Sequence, residues 1–208
     1  MALRKIDIGN EMKRGWQLFQ PNMGLLILAS VIACVVSGIT FGILGGPLMV
    51  GLLLVIRRLS KNDVTKPQAG DVFKGLDFFV QALLVLILSF VANCILAFIP
   101  VVGQLAALIV GAVSMWAFAF VAFQKLTAID AIKKIIEHTK NGEFTMPLLF
   151  AIIVSIISGL GVIACGIGIF FTLPLGYCML VSCYETLFGD EPEVIDPISI
   201  QPPPPIEG

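Results

Sequence analysis

The chain has 208 residues, of which 58% are hydrophobic and only 13% are charged, and its mean hydropathy is +0.99. Soluble domains carry about twice this share of charged residues, so the composition excludes an ordinary water-soluble globular protein. The formal net charge of −1 provides no basic field that would attract nucleic acid. The composition therefore predicts an integral membrane protein, with the lipid bilayer as its main partner.

Residues 1–22 hold six charged side chains and therefore lack the apolar core of a cleavable signal peptide. The pattern instead predicts an amphipathic segment at the membrane surface, with apolar and basic residues on different faces: Met12, Trp16 and Phe19 against Lys13 and Arg14. Because tryptophan concentrates at the membrane–water boundary, Trp16 is the predicted interfacial anchor.

Three long stretches of the chain contain no Asp, Glu, Lys or Arg: residues 15–56, 78–124 and 144–184. A spanning helix needs about 20 apolar residues, so each stretch is long enough for two. Helix is the expected state because hydrocarbon offers no partner to an unpaired backbone group. The sequence predicts an all-α integral membrane protein over residues 23–188, with about six transmembrane helices as three hairpins: 23–44, 47–60, 76–99, 101–124, 145–170 and 173–188.

A proline marks the predicted turn or helix break of each hairpin: Pro47, Pro100 and Pro174. The spans that begin near Pro47 and Pro174 are only about 15 residues long, which is short for a full crossing. Each of these two spans either crosses a thinned bilayer or is re-entrant behind other helices.

The basic residues give the predicted orientation. Every Lys and Arg falls in the N-terminal segment or in two connections, residues 57–74 and 125–140, and the opposite turns have none. Basic residues mark the cytoplasmic side of a membrane, so six spans place both termini and both connections in the cytoplasm. A five-span arrangement would put one charged segment on the opposite face.

Both charged connections carry helical patterns. Residues 127–140 predict an interfacial amphipathic helix with Thr127 as its cap and an isoleucine face: Ile129, Ile132, Ile135 and Ile136. Residues 71–79 are either a third interfacial helix or a solvated loop.

Residues 189–208 are acidic and proline-rich, which predicts a disordered tail that either aids solubility or docks a polyproline-binding partner.

The first and last thirds of the chain show the same order of features at an offset of roughly 120 residues. A basic amphipathic segment leads to a long span and then to a short span that begins near a proline. Both copies start on the same side, so this would be a parallel duplication. Inverted repeats are the pattern typical of alternating-access transporters, so the parallel order weakens that hypothesis.

Small residues at four-residue spacing predict close helix packing, since they let helix backbones approach in a membrane. The predicted packing residues are Gly38, Gly42, Gly46, Gly103, Ala107, Gly111 and Gly159. Three polar residues in or near the spans form a candidate polar pathway: Asn93, Gln104 and Glu185. The alternative for Asn93 is an interhelical hydrogen bond. For Glu185 it is the interface, where the carboxylate can pair with a basic side chain.

No catalytic, metal or cofactor motif occurs in the sequence. The five cysteines lie in apolar stretches without a Cys-x-x-Cys pair, and a single histidine, His138, cannot build a multi-histidine metal site. The predicted spans contain no histidine or lysine to serve as base for an intramembrane nucleophile. We therefore expect no cofactor, no metal and no enzymatic activity.

Several short motifs resemble a loose group of bacterial multi-pass membrane proteins. They are Gly15-Trp16-x-x-Phe19, Pro47-x-x-x-Gly51, the glycine-rich stretch 161–168 with Pro174, and Tyr184-Glu-Thr-Leu-Phe-Gly189. That group is similar to the membrane domain attached to some glycerophosphoryl diester phosphodiesterases. The resemblance covers the chain except its tail and implies a bacterial inner-membrane protein of about six helices. It carries over no catalytic residue, because the phosphodiesterase chemistry belongs to a separate soluble domain.

The leading functional hypothesis is a non-enzymatic scaffold or accessory subunit, which acts on a membrane or cytoplasmic protein partner through its cytoplasmic face. The second is a transporter or channel for a small or lipid-like solute, with its path near Asn93 and Gln104. An intramembrane enzyme is the weakest hypothesis. The sequence leaves the oligomeric state open.

Overall fold

The computed structural model of the chain describes residues 6–61, 66–99, 101–142, 144–163 and 168–189, and these residues form helices and turns without a strand. A 3-10 turn at Gln20–Asn22 and a longer 3-10 helix at Ala69–Phe78 accompany eight α-helices. In chain order these are α1 Ile8–Phe19, α2 Met23–Ile39, α3 Gly45–Ser60, α4 Phe79–Leu96, α5 Val102–Gln124, α6 Ala128–Lys140, α7 Thr145–Ile163 and α8 Ile169–Phe188.

Four continuous helical stretches are long and apolar enough to cross a membrane: Ile8–Ile39, Ala69–Leu96, Val102–Gln124 and Ile169–Phe188. A fifth is obtained if α6 and α7, which are bent by 118° at their junction, count as one span. The all-helical prediction is confirmed for the described residues, but six spans in three hairpins are not. The short element is α3, whose 16 residues rise about 24 Å, less than the roughly 30 Å of a hydrocarbon core.

The N-terminal segment is not separate from the first span. Helix α1 passes through the Gln20–Asn22 turn into α2, and the two form one 32-residue stretch. Asp7 caps α1, because its side chain accepts a hydrogen bond from the backbone N–H of Gly9 at 3.0 Å. The predicted surface helix is thus the first part of a long helix.

The three prolines predicted to break helices differ in outcome. Pro47 lies in the first turn of α3, where a missing N–H costs little. Pro100 lies outside the described residues, as do the glycine-rich residues 164–167 and the tail from 190 onward. Pro174 does not end a helix as predicted: it is buried inside α8, which begins at Ile169. One proline removes one backbone hydrogen bond, and packing of the surrounding helices against α8 compensates for that loss.

The core of the bundle lies at the charged end. Almost every residue of α3 from Gly46 to Arg57 is buried, as are the second half of α5 and most of α8. An aromatic cluster joins α5 and α8 to Phe144, with ring centroids 5.0 Å apart for Trp116–Phe144 and 4.6 Å for Phe123–Tyr184. The indole N–H of Trp116 donates to the carbonyl of Pro147 at 3.1 Å, which ties α7 to this cluster.

Close helix contacts use glycines that the small-residue pattern only partly identified. A Cβ on Gly51 of α3 would lie 2.6 Å from the carbonyl carbon of Val72, and one on Gly15 would lie 2.5 Å from the Cα of Met179 in α8. Neither residue belongs to the predicted stripes. The segment 71–79 is helical rather than a loop, and it packs on α3 at Gly51 and at its own Gly75, where an added Cβ would overlap the carbonyl oxygen of Pro47.

The predicted packing residues divide into two groups. A Cβ on Gly46 would lie 2.6 Å from the carbonyl oxygen of Ala82, and one on Gly103 would lie 3.3 Å from the Cβ of Ile99. Ala107 and Gly111 are half-buried on α5, and the nearest atom to a Cβ on Gly111 is the Ser155 Oγ at 4.0 Å. Gly38, Gly42 and Gly159 face open space and mediate no close approach within the described chain. Gly42 instead has a φ of +84° in the α2–α3 turn.

Each amphipathic helix buries only part of the apolar face that its sequence predicted. Helix α1 buries Glu11, Gly15 and Phe19, whereas Trp16 remains 41% exposed. Helix α6 buries Ala128, Ala131 and Ile135 and leaves exposed two of its isoleucines: Ile129 and Ile136. The Thr127 cap is confirmed, because its hydroxyl accepts from the Asp130 N–H at 3.2 Å.

Candidate functional site

A polar pocket opens at the charged end of the bundle, where α1, the end of α3 and the end of α8 meet. Its volume is about 500 Å³. Its lining is polar except for one leucine: Arg14, Leu18, Ser60, Ser182, Glu185 and Thr186. The pocket brings together side chains that are more than 100 residues apart in the sequence, such as Ser60 and Glu185.

The carboxylate of Glu11 lies directly beside this pocket and is 3% exposed. It accepts hydrogen bonds from the Ser182 hydroxyl at 2.6 Å and the Thr186 hydroxyl at 2.8 Å. The guanidinium of Arg14 lies 3.5 Å from it and donates to the Thr186 hydroxyl at 3.2 Å. Because Ser182 and Thr186 are one turn apart on α8, they present their hydroxyls to the same carboxylate. Helix α1 is thereby held against α8.

The carboxylate of Glu185 lines the part of the pocket beside Ser60, which we call the Glu185 wall. Its Oε2 accepts a hydrogen bond from the Ser60 hydroxyl at 2.6 Å, and its Oε1 is buried without a hydrogen-bond partner in the described part of the chain. Glu185 lies near the end of the last helix, and its hydrogen-bond partner in the described chain is a serine rather than the basic side chain of one interpretation of the sequence. A partly buried carboxylate normally needs more compensation than one hydroxyl supplies.

The three hydroxyls of the pocket have a common orientation. Each hydroxyl has one proton: those of Ser60 and Ser182 are directed at a carboxylate oxygen, and that of Thr186 at the Glu11 carboxylate or the Ser182 carbonyl. These hydroxyl groups can therefore only accept hydrogen bonds from a ligand. The donors in the lining belong to Arg14, whose side chain is 63% exposed. The pocket is therefore rich in acceptors at the Glu185 wall and offers donors at the Arg14 wall.

Two basic side chains cover the aromatic cluster from the same end of the bundle. The guanidinium of Arg57, which is 9% exposed, lies 4.5 Å from the ring centroid of Phe123. The Lys134 ammonium lies 5.3 Å from the ring of Phe120 and donates to the Gln124 side chain at 2.8 Å. These cation–π contacts fix the ends of α3, α5 and α6 around α8, and so fix the frame of the pocket.

The candidate polar pathway does not come together. Asn93 and Gln104 are exposed on the outer surface, and the Asn93 amide donates to the Ser89 carbonyl of its own helix at 2.7 Å. Glu185 lies in the pocket on other helices. The polar contact between α4 and α5 is instead a hydroxyl pair, Ser89 Oγ and Ser114 Oγ at 2.6 Å. It borders an apolar cleft of about 220 Å³.

A second polar depression runs along the exposed side of α6. Its volume is about 490 Å³, and its lining mixes acidic, basic and amide side chains: Leu126, Asp130, Lys133, Lys134, Glu137, His138 and Asn141. We call this feature the α6 groove. Within the described residues, no group of three or more His, Cys, Asp or Glu side chains could hold a metal ion.

Sequence reasoning missed most residues of the polar pocket. Glu11 lies among other charged residues of a segment predicted to be at the surface, so nothing indicated its burial. A usable signal was present on α8, where Ser182 and Thr186 flank Glu185 at helical spacing in an otherwise apolar run. Polar residues on one face at the end of a span indicate a shared polar contact.

Comparison with models of protein families, with curated proteins and with solved structures found no match to this chain. The similarity to the membrane domain of glycerophosphoryl diester phosphodiesterases therefore remains a prediction from the sequence motifs.

Proposed function

We propose that this chain is a non-enzymatic, polytopic membrane protein that acts as a scaffold or accessory subunit through its charged end. One observation carries the proposal: two polar depressions of the described chain, the polar pocket and the α6 groove, lie at that end. In this proposal the protein resides in a bacterial cytoplasmic membrane, with both termini and the charged end in the cytoplasm.

The arrangement of the spans supports a scaffold over a transporter. A solute path needs polar groups that continue through the bundle, but Asn93 and Gln104 face outward. The cleft between α4 and α5 offers only the Ser89–Ser114 pair, whose hydroxyls already bond to each other or to backbone carbonyls. The aromatic cluster fills the region between α5 and α8 with tightly packed rings.

The α6 groove is the surface that we propose for a protein partner. Asp130 and Glu137 lie beside Lys133 in this groove. Such a mixed pattern complements a partner surface with both signs of charge and disfavours a uniformly charged one. Ile129 and Ile136 are exposed on the same helix and add apolar area. A partner that binds here would contact both kinds of surface.

Two measurements test the proposal. Ion and solute flux into proteoliposomes should not exceed flux into protein-free vesicles, and an Asn93→Leu variant should behave like the wild type. Flux that the Asn93→Leu variant abolishes would instead establish the transporter.

A photo-crosslinking residue at Glu137 should give a discrete crosslinked partner in native membranes, and one at exposed Phe98, in the uncharged turn, should not. Identical crosslinking at both positions would contradict a partner surface on α6.

A further inference from the structure

The polar pocket lies beyond the uncharged part of the first helical stretch, where we expect lipid headgroups to meet the protein. Arg14 and Leu18 belong to the long Ile8–Ile39 helix and precede its uncharged part. Trp16 lies between them in sequence and is 41% exposed, as expected for a residue at the membrane interface. Glu185 and Thr186, which also line the pocket, belong to the last two turns of α8. A headgroup in the adjoining leaflet would therefore be at the height of the pocket.

The polar groups of the Glu185 wall favour a ligand that donates hydrogen bonds. The Ser60 proton goes to Glu185 and the Ser182 proton goes to Glu11, so both serines retain only acceptor capacity. Glu185 has one oxygen without a donor in the described chain. Glu185 lines the pocket, and its Oε2 accepts only the Ser60 hydrogen bond, so the carboxylate keeps further lone pairs for a donating ligand. A primary ammonium has three donors and no acceptor, which fits this wall.

The charges of the site favour a cation beside Glu185 and allow an anion beside Arg14. Glu11 and Glu185 contribute two negative charges, and Arg14 contributes one positive charge that is shared with Glu11. One carboxylate thus lacks a cation among the residues that line the pocket. Arg14 is largely exposed, and its guanidinium has five N–H donors, so it can bind a phosphate while it stays near Glu11.

We propose that the polar pocket binds a zwitterionic amine–phosphate headgroup, with its primary ammonium on Glu185 and its phosphate on Arg14. Phosphatidylethanolamine and free phosphoethanolamine share this chemistry. Leu18 supplies an apolar edge to the pocket, next to which the glycerol end of a lipid would lie. This site goes beyond the proposed scaffold role, because it involves α1, α3 and α8 rather than the α6 groove.

Native mass spectrometry of the purified full-length chain tests the proposal. The probes are dioleoyl phosphatidylethanolamine, phosphatidylcholine and phosphatidylglycerol at equal concentration. We expect one phosphatidylethanolamine molecule to be retained about tenfold more strongly than phosphatidylcholine, whose quaternary ammonium has no N–H donor, because a hydrogen bond to a charged group contributes about that factor. Equal retention of the three lipids would overturn the proposal.

Two variants locate the binding site. Glu185→Gln keeps the shape but removes the charge and should abolish the preference for phosphatidylethanolamine, whereas Asp77→Asn, an exposed change on the Ala69–Phe78 helix, should keep it. Arg14→Gln should weaken retention of the phosphate-bearing lipids, and Lys13→Gln, which is exposed and outside the pocket, should not. Because Arg14 is exposed, its variant decides the matter if Glu185→Gln fails to fold. Unchanged retention in Arg14→Gln and Glu185→Gln would overturn the assignment.

A competition experiment identifies the source of the headgroup. Excess phosphoethanolamine that displaces phosphatidylethanolamine would support the amine–phosphate site and show that the headgroup alone is sufficient. Preferential retention of phosphatidylethanolamine that phosphoethanolamine leaves unchanged would support the site and assign it to the lipid.

Discussion

The buried carboxylate of Glu11 is stabilised by hydroxyl groups more than by its ion pair. Hydrogen bonds from O–H donors to a carboxylate are short and strong, and the 2.6 Å bond from Ser182 and the 2.8 Å bond from Thr186 have that geometry. Arg14 is 63% exposed, so solvent screens its charge and its contribution is small. Burial of Glu11 therefore depends on α8, which supplies both hydroxyls.

We expect Glu11→Ala to lower the free energy of unfolding by about 2–3 kcal/mol, since the two hydroxyls then lack their shared acceptor. Glu11→Gln keeps one acceptor oxygen and should cost less. Lys13→Ala, an exposed change on the same helix, is the control. Circular dichroism during denaturant unfolding in detergent micelles gives the comparison. Equal stability of the Glu11→Ala and Lys13→Ala variants would show that this carboxylate does not hold α1 on α8.

The elements themselves were largely predictable, but their buried faces were so only in part. Hydropathy and turn residues located the apolar helices, most of their ends within a few residues, because those signals are local, but the predicted number of crossings was not confirmed. The buried face of α1 comes from long-range packing: Gly15 lets α8 approach at Met179, which brings Glu11 inward and leaves Trp16 half-exposed. The same reasoning explains Pro174, which looks like a helix break until Ser158 and Val154 of α7 pack on the adjacent Gly176. Sequence periodicity does not report contacts of this kind.

The contact between α3 and the Ala69–Phe78 helix should tolerate no side chain at Gly51. Its Cβ would overlap the carbonyl group of Val72, so Gly51→Ala should lower the free energy of unfolding by about 1–3 kcal/mol. Gly38→Ala is the matched control, since Gly38 is helical and faces open space. Alanine favours helix over glycine by up to about 1 kcal/mol, so the control should be neutral or stabilising. Thermal unfolding of both variants in detergent measures the difference, and a stable Gly51→Ala protein would contradict this packing.

At the scale of the whole molecule, the uncharged turns of the bundle end at different heights. The α2–α3 turn contacts the middle of α4, where a Cβ on Gly46 would lie 3.4 Å from the Cβ of Leu86. Helix α4 continues from Leu86 to Leu96, a further rise of about 15 Å at 1.5 Å per residue. If the α4–α5 hairpin crosses the bilayer, the α2–α3 turn therefore lies inside the hydrocarbon. The sequence suggested re-entrance only through the short length of span 47–60, because this contact joins distant parts of the chain.

The backbone of the α2–α3 turn is suited to a hydrocarbon environment. Each N–H from Thr40 to Gly45 donates to an acceptor within the chain, as does the Thr40 hydroxyl. A turn in water needs no such complete pairing, but a turn in lipid does. Phe41 is 97% exposed and has a φ of +51°, a conformation that is strained for a bulky residue. Its side chain packs on nothing in the described chain, and contact with acyl chains would account for an aromatic residue there.

We therefore expect a cysteine that replaces Phe41 to resist a membrane-impermeant maleimide added from either side of sealed vesicles. A cysteine that replaces Phe98, which is 88% exposed in the α4–α5 turn, should react from the side opposite the charged end. Both variants need a background without the five native cysteines. A fluorescent adduct at position 41 should be quenched most strongly by lipids brominated near the middle of the acyl chain, because α3 then returns without having crossed the bilayer. Reaction at position 41 from the far side, as fast as at position 98, would establish α3 as a complete span.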